Sequence, residues 1–241
     1  MRLKIILFKR LLLTVFFTSI IQLLYCEEVI FFDDFSNSGS TGKALMGRLP
    51  KMAPRGGSWN APSVNYVKNQ KVFTSDGYGG GFLTVPEIKE EMKSFLLTGK
   101  FYPLGDKGYM VFGFFRQIEI DQLSLGVTIS NKPQSDLASF QVRYNLLGSG
   151  ALQSGEIKKA TDEAPYEVSI LYLFESQNLK VTINGEVVYE GGFEFKKDST
   201  QVKDEKSKDL NFLGFVFEHQ YVEDPEANAY FKEVKFVVNP D

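Results

Sequence analysis

Glu119-Ile120-Asp121 sets two carboxylates two residues apart, the spacing at which side chains on one strand share a face. Paired acids are the equipment of a retaining glycosidase: one carboxylate attacks the sugar, and a second, about 5 Å away, handles the proton. Along this chain the pair lacks its continuation. The next position on the same face is Leu123, and a bulged register offers Ser124; neither donates and recovers a proton as a carboxyl does. The simpler arrangement turns Ile118 and Ile120 toward a core and leaves Gln117, Glu119 and Asp121 in water. If a glycosidase operates here, Glu119 is its nucleophile and Asp121 its companion. The missing acid argues for a protein without that activity.

Other chemistries are limited by inventory. His219 is the only histidine and Cys26 the only cysteine, so no His/Cys cluster can hold zinc. No G-x-S-x-G elbow accompanies His219, which closes the alternating run Leu213, Phe215, Phe217 as a packed or half-exposed residue. Asp33 and Asp34 raise the question of calcium, a hard ion that collects 6–8 oxygens from carboxylates and carbonyls. Neighbours on a strand point to opposite faces, so one of the two would reach such an ion; the alternative is an exposed pair at a strand end. Glu223, Asp224 and Glu226 form a second acidic cluster, beside Pro225, that reads as solvated loop. Sugar binding needs exposed rings on which C–H faces stack, with polar neighbours to fix the hydroxyls. Trp59, Tyr66, Tyr78, Tyr109 and Tyr144 are the candidates, Tyr78 above all because Gly77 and Gly79-Gly80-Gly81 flank it as in an open loop. Trp59, after Gly56-Gly57-Ser58, also reads as a core anchor.

The elements that must carry these residues are strands. Runs rich in aromatic and β-branched residues occupy 29–32, 93–102, 109–120, 123–130, 139–146, 166–174, 179–189, 210–219 and 229–238. Asn184-Gly185 lies between two alternating runs and supplies the two positive φ angles of a tight hairpin. Only 86–94 suggests a helix, short and on the surface, and Lys196 to Asp209 reads as a polar loop. Many strands without intervening helices predict an all-β sandwich or barrel.

The stretch Phe32-Asp33-Asp34-Phe35, Leu45-Met46-Gly47-Arg48-Leu49-Pro50, Gly56-Gly57-Ser58-Trp59 and Gly81-Phe82-Leu83-Thr84-Val85 resembles the opening of laminin-G-like, concanavalin A-like domains of exported bacterial proteins. The hairpin near residue 180 and the final strand Ala229 to Val238 resemble that superfamily too. The resemblance implies a two-sheet antiparallel β-sandwich, a jelly roll, that binds glycans or proteins and in some members hydrolyses glycans. It also implies a structural calcium where first and last strands meet, to which Asp33 and Asp34 are the candidates. Glucanases of the same broad fold carry a mid-chain Glu-Ile-Asp like that at Glu119, followed by a second glutamate and preceded by a tryptophan; both are absent here.

Residues 1–26 read as a secretory signal. Arg2, Lys4, Lys9 and Arg10 precede an uncharged apolar run from Leu11 to Tyr25, 15 residues against the roughly 20 a spanning helix needs. An uncleaved anchor is the alternative. Cys26 ends the segment either as the residue before ordinary cleavage or, in a lipobox-like Leu23-Leu24-Tyr25-Cys26, as a lipidated terminus; Tyr25 is large for the latter. The expectation is an exported protein, extracellular, periplasmic or at the cell surface, with residues 27–241 as one domain and no stable membrane span after cleavage. Loss of the leader removes four bases and no acid, leaving 23 basic against 30 acidic residues, a net charge of −7. Such a surface repels phosphate backbones and excludes nucleic acid as a partner. The function expected is non-catalytic binding of an extracellular carbohydrate. A structural or adhesive protein-binding role in the cell envelope and a divergent β-glucan hydrolase are the alternatives.

Overall fold

The computed structural model describes residues 27–38, 43–62, 65–74, 78–86, 92–102, 108–119, 122–144, 151–161, 163–194, 211–218 and 230–239. The leader with Cys26, the expected helix (for residues 87–91), the 196–209 loop, Asp121, His219 and the Glu223 cluster lie outside them.

The first half of the chain forms β1 (Glu28–Asp33), β2 (Lys43–Ala44), β3 (Asn65–Lys68), β4 (Lys71–Thr74), β5 (Tyr78–Thr84), β6 (Ser94–Tyr102) and β7 (Tyr109–Phe115). The second half forms β8 (Leu123–Asn131), β9 (Leu137–Tyr144), β10 (Ala151–Lys158), β11 (Tyr166–Leu173), β12 (Asn178–Ile183), β13 (Glu186–Gly192), β14 (Phe212–Glu218) and β15 (Tyr230–Val238). A nine-stranded sheet runs β13-β12-β11-β6-β15-β4-β3-β2, with β1 also paired to β15. A six-stranded sheet runs β10-β9-β8-β7-β14-β5. All pairings are antiparallel, and the architecture is the two-sheet sandwich expected.

Alternation explains why the sheets face each other. Ala138, Phe140, Val142 and Tyr144 of β9 are buried while Ser139, Gln141 and Arg143 between them are not fully so. β11 and β12 repeat the pattern with Val168, Ile170, Tyr172 and Leu179, Val181, Ile183. The phenylalanine surplus fills the space between the layers. Phe215 of β14 stacks on Phe231 of β15 at 4.1 Å between centroids, joining one sheet to the other, and Phe231 stacks in turn on Phe101 of β6. Each such ring, taken wholly out of water, contributes about 1.5–3 kcal/mol. Asn184 (φ 53°) and Gly185 (φ 80°) make the β12–β13 turn as their types predict.

Two expectations are corrected. The run 109–120 is not one strand: β7 stops at Phe115, and Arg116 to Glu119 bend back so that Arg116 N donates to Gln122 O at 2.9 Å. Glu119 therefore sits exposed in a turn, off the sheet. The glycine-rich segment around Tyr78 is strand β5, not an open loop, with Gly79 to Gly81 in register with Phe217 to Phe215. Gly81 is required by packing: a Cβ there would lie 2.7 Å from Leu45 and 2.9 Å from the Phe215 ring. Among the described residues no helix is long and apolar enough to cross a membrane.

Candidate functional site

The six-stranded sheet has two unlike faces. Met110, Phe112 and Phe114 of β7, and Leu213, Phe215 and Phe217 of β14, point into the main core. The alternate residues point away from it, and the strand registers arrange them in rows. One row crosses Glu156, Ser139, Ser130 and Tyr109, and continues through the backbone positions of Glu218 and Tyr78. The next holds Ser154, Gln141, Thr128, Val111, Val216 and Gly80. A third holds Ala151, Arg143, Gly126, Gly113, Gly214 and Phe82.

These rows divide the outer face into an apolar and a polar half. Phe82, Val111, Phe115, Leu123 and Val216 form a second buried cluster, with Phe82 edge-on to Phe115 at 5.0 Å. Tyr109, half-buried, packs against its border. Toward β9 and β10 the side chains become hydroxyl, amide and charge: Ser130, Ser139, Gln141 and Arg143 are half-buried, Ser154 and Glu156 exposed. Ser139 Oγ donates to Ser130 O at 3.3 Å, and Glu156 is ion-paired with Lys132. Arg143 is different. Its Nε is buried and meets no acceptor. Glycines keep the third row low, because β7 and β8 approach too closely for side chains: a Cβ on Gly113 would stand 2.2 Å from Leu125 O, and one on Gly126 2.3 Å from Phe112 O.

Of the aromatic residues expected to form a sugar platform, the registers bring Tyr78 and Tyr109 into one row, two strands apart. The side chain of Tyr78 lies outside what the structure describes. Tyr66 is half-buried on β3, in the other sheet, with its ring 6.0 Å from Phe73. Trp59 and Tyr144 are corrected. Trp59 is 1% exposed, edge-on to Phe215 at 5.6 Å, and Tyr144 is 5% exposed, edge-on to Phe193 at 4.8 Å. A ring walled in by neighbours offers no face to a sugar. The parity of β9 already contained this answer for Tyr144, which shares a face with Phe140 and Val142. The same parity turns Ser139, Gln141 and Arg143 to the opposite face, a placement legible in that alternation although none of them is a ring or an acid.

Asp33 and Asp34 are also differently employed than expected. Asp33 is fully buried. Its Oδ1 accepts Phe35 N at 3.0 Å, and its Oδ2 accepts Trp59 Nε1 at 2.8 Å together with Arg48 Nη1. The guanidinium of Arg48 lies 5.2 Å from the Phe35 ring centroid, and Phe35 holds φ at 55°, a left-handed angle that the Asp33 bond to its amide secures. Asp34 accepts Lys51 Nζ at 2.7 Å and Ser36 N at 3.0 Å. Partial burial pushes its carboxyl up, but the Lys51 ammonium and the Ser36 donors outweigh that and hold it at about 2. Calcium does not fit this donor set. The buried carboxylate is committed to an internal cation and two N–H donors, and its neighbour to a lysine. Among the described residues no three His, Cys, Asp or Glu side chains gather as metal ligands. The Asp-Asp-Phe, Gly-Arg and Gly-Gly-x-Trp motifs thus meet in one buried clamp.

Neither a family model nor a curated protein matches the chain. Solved structures do. The CBM2 module of the Lactobacillus casei BL23 phage J-1 evolved Dit aligns with 89% of this chain and 97% of its own at 11% identity, with a TM-score of 0.52. The metal-free Emp46p carbohydrate recognition domain covers 75% of this chain and 87% of its own at 12% identity and a TM-score of 0.47. The VIP36 exoplasmic/lumenal domain, in its Ca2+/Man3GlcNAc-bound form, covers 74% and 82% at 11% identity and a TM-score of 0.47. The phage module shares the fold of this chain, a β-sandwich aligned over most of both proteins.

Proposed function

We propose that this chain is a non-catalytic carbohydrate-binding β-sandwich of the concanavalin A-like, laminin-G-like kind, exported by a cleaved leader over 1–26 and folded as one domain over 27–241. The glycan lies on the outer face of the six-stranded sheet. One observation carries the reading: toward β8, β9 and β10 the half-buried Tyr109 borders a field of half-buried Ser, Gln and Arg side chains, while the apolar cluster on its other side is wholly buried. A pyranose has the matching pair of surfaces, C–H patches for rings and hydroxyls for hydrogen bonds. Hydrolysis finds less support, since Glu119 stands exposed in the bend after β7, where a substrate on the sheet would not meet it.

The test is isothermal titration of the purified protein against sized plant, algal and microbial oligosaccharides, with Tyr109→Ala and Gln141→Ala beside the wild type. Binding weakened about tenfold or more by either substitution is the expected result. A protein that binds no sugar, or binds one with both variants unaffected, removes this face from the function.

A further inference from the structure

Arg143 stands apart from the arginines that the chain uses for its own structure. Arg48 is paired with Asp33, and Arg55 with Glu28, its Nε 2.8 Å from that carboxylate. No carboxylate among the described residues pairs with Arg143, and its Nε is buried without an acceptor. Acids were not scarce, for the chain carries 30 of them against 27 bases. A buried N–H left unmet is costly, more so on a cation, and folded proteins retain such a group where something from outside completes it.

Its surroundings suit a ligand. In register with Arg143 stand Gly126 on one side, with the Leu123 side chain lying over it, and the exposed Ala151 on the other, so the open flank of Arg143 is toward β10. Two residues along the same face of β9 is Gln141, whose amide offers a further donor. The Nε and Nη groups of a guanidinium form a fork that matches two oxygens of one anionic group.

We propose that Arg143 receives the anionic group of an acidic sugar, a carboxylate or a sulfate ester, with Gln141 beside it. This rests on the glycan reading above and narrows it to acidic carbohydrates. The purified protein is titrated with neutral, uronate-containing and sulfated oligosaccharides of matched length, as wild type, Arg143→Lys and Arg143→Gln. One acidic series is expected to bind about tenfold or more tightly than the neutral one, and the uronate and sulfate arms tell which oxyanion it is. Arg143→Gln is expected to bring the acidic series down to the affinity that the same variant shows for the neutral one; Arg143→Lys loses part of the margin, because an ammonium has no fork. Wild-type affinity for the acidic series should also weaken with added salt, a readout that needs no variant. Neutral and acidic sugars bound equally, with no salt dependence and no effect of either substitution, overturn the role of Arg143 and leave the glycan reading in place. Free sulfate bound through Arg143, with no sugar bound at all, keeps the anion site and removes the glycan reading. Equal melting midpoints of the ligand-free proteins separate lost recognition from lost folding.

Discussion

Two adjacent acids, alike in sequence, do different work. Asp33 is a buried anchor whose charge neutralises Arg48, itself 14% exposed. Asp33→Asn keeps an oxygen for Trp59 or Phe35 but leaves the guanidinium without its counter-ion. Urea unfolding is expected to show a loss of about 3 kcal/mol, the scale for breaking a largely buried pair from one side. Asp34 works nearer the surface and through pH. Its carboxyl sits below its ordinary value, so the folded chain favours the charged form. The stabilisation is complete above the ordinary value of 3.8 and disappears as pH falls through about 2. Lys51→Met should move the Asp34 titration, followed by NMR, back toward 3.8 and flatten the fall in stability across that window. A titration unmoved by the substitution would show that Lys51 is not the cause.

At the scale of the element, glycine separates strands that pack by backbone from those that pack by side chain. Gly113 and Gly192 both lie in strands, β7 and β13. A Cβ on the first runs into the Leu125 carbonyl, and one on the second meets nothing within 4 Å. Gly113→Ala is therefore expected to cost about 3 kcal/mol, the upper part of the overpacking range. Gly192→Ala should be neutral or stabilising by up to about 1 kcal/mol through the unfolded chain. Equal melting temperatures for the two would contradict the close approach of β7 and β8. Legibility follows the same division. β6, β8, β11, β12 and β15 announce themselves by alternating apolar residues and lie where the sequence places them. β5 hides because three of its seven residues are glycines, two of them, Gly80 and Gly81, pressed by Phe215, Val216 and Leu45, a demand invisible as a pattern. β10 hides because Ala-Leu-Gln-Ser-Gly-Glu-Ile-Lys sits at an edge and buries too little to need alternation. Tyr109 and Tyr78 are legible as rings, yet their common row depends on β14 lying between them, a long-range pairing that no local spacing encodes.

For the molecule as a whole, the first and last strands are hydrogen-bonded neighbours: Glu28 faces Val238 and Asp33 faces Val234, with Lys235 ion-paired to Glu27 at 2.8 Å. The first and last of the described strands are thereby joined within one sheet, beside the Asp33 clamp. That clamp contains the protein's single tryptophan, its indole N–H tied to Asp33 and its ring set against Phe215 on the inner side of the six-stranded sheet. Tryptophan emission from the folded protein accordingly has one source, shielded from water, and its colour reports on one place only. A saccharide settling on the opposite side of the sheet should leave the spectrum where it was, whereas loosening of the joint between β1 and β15 should redden it at once.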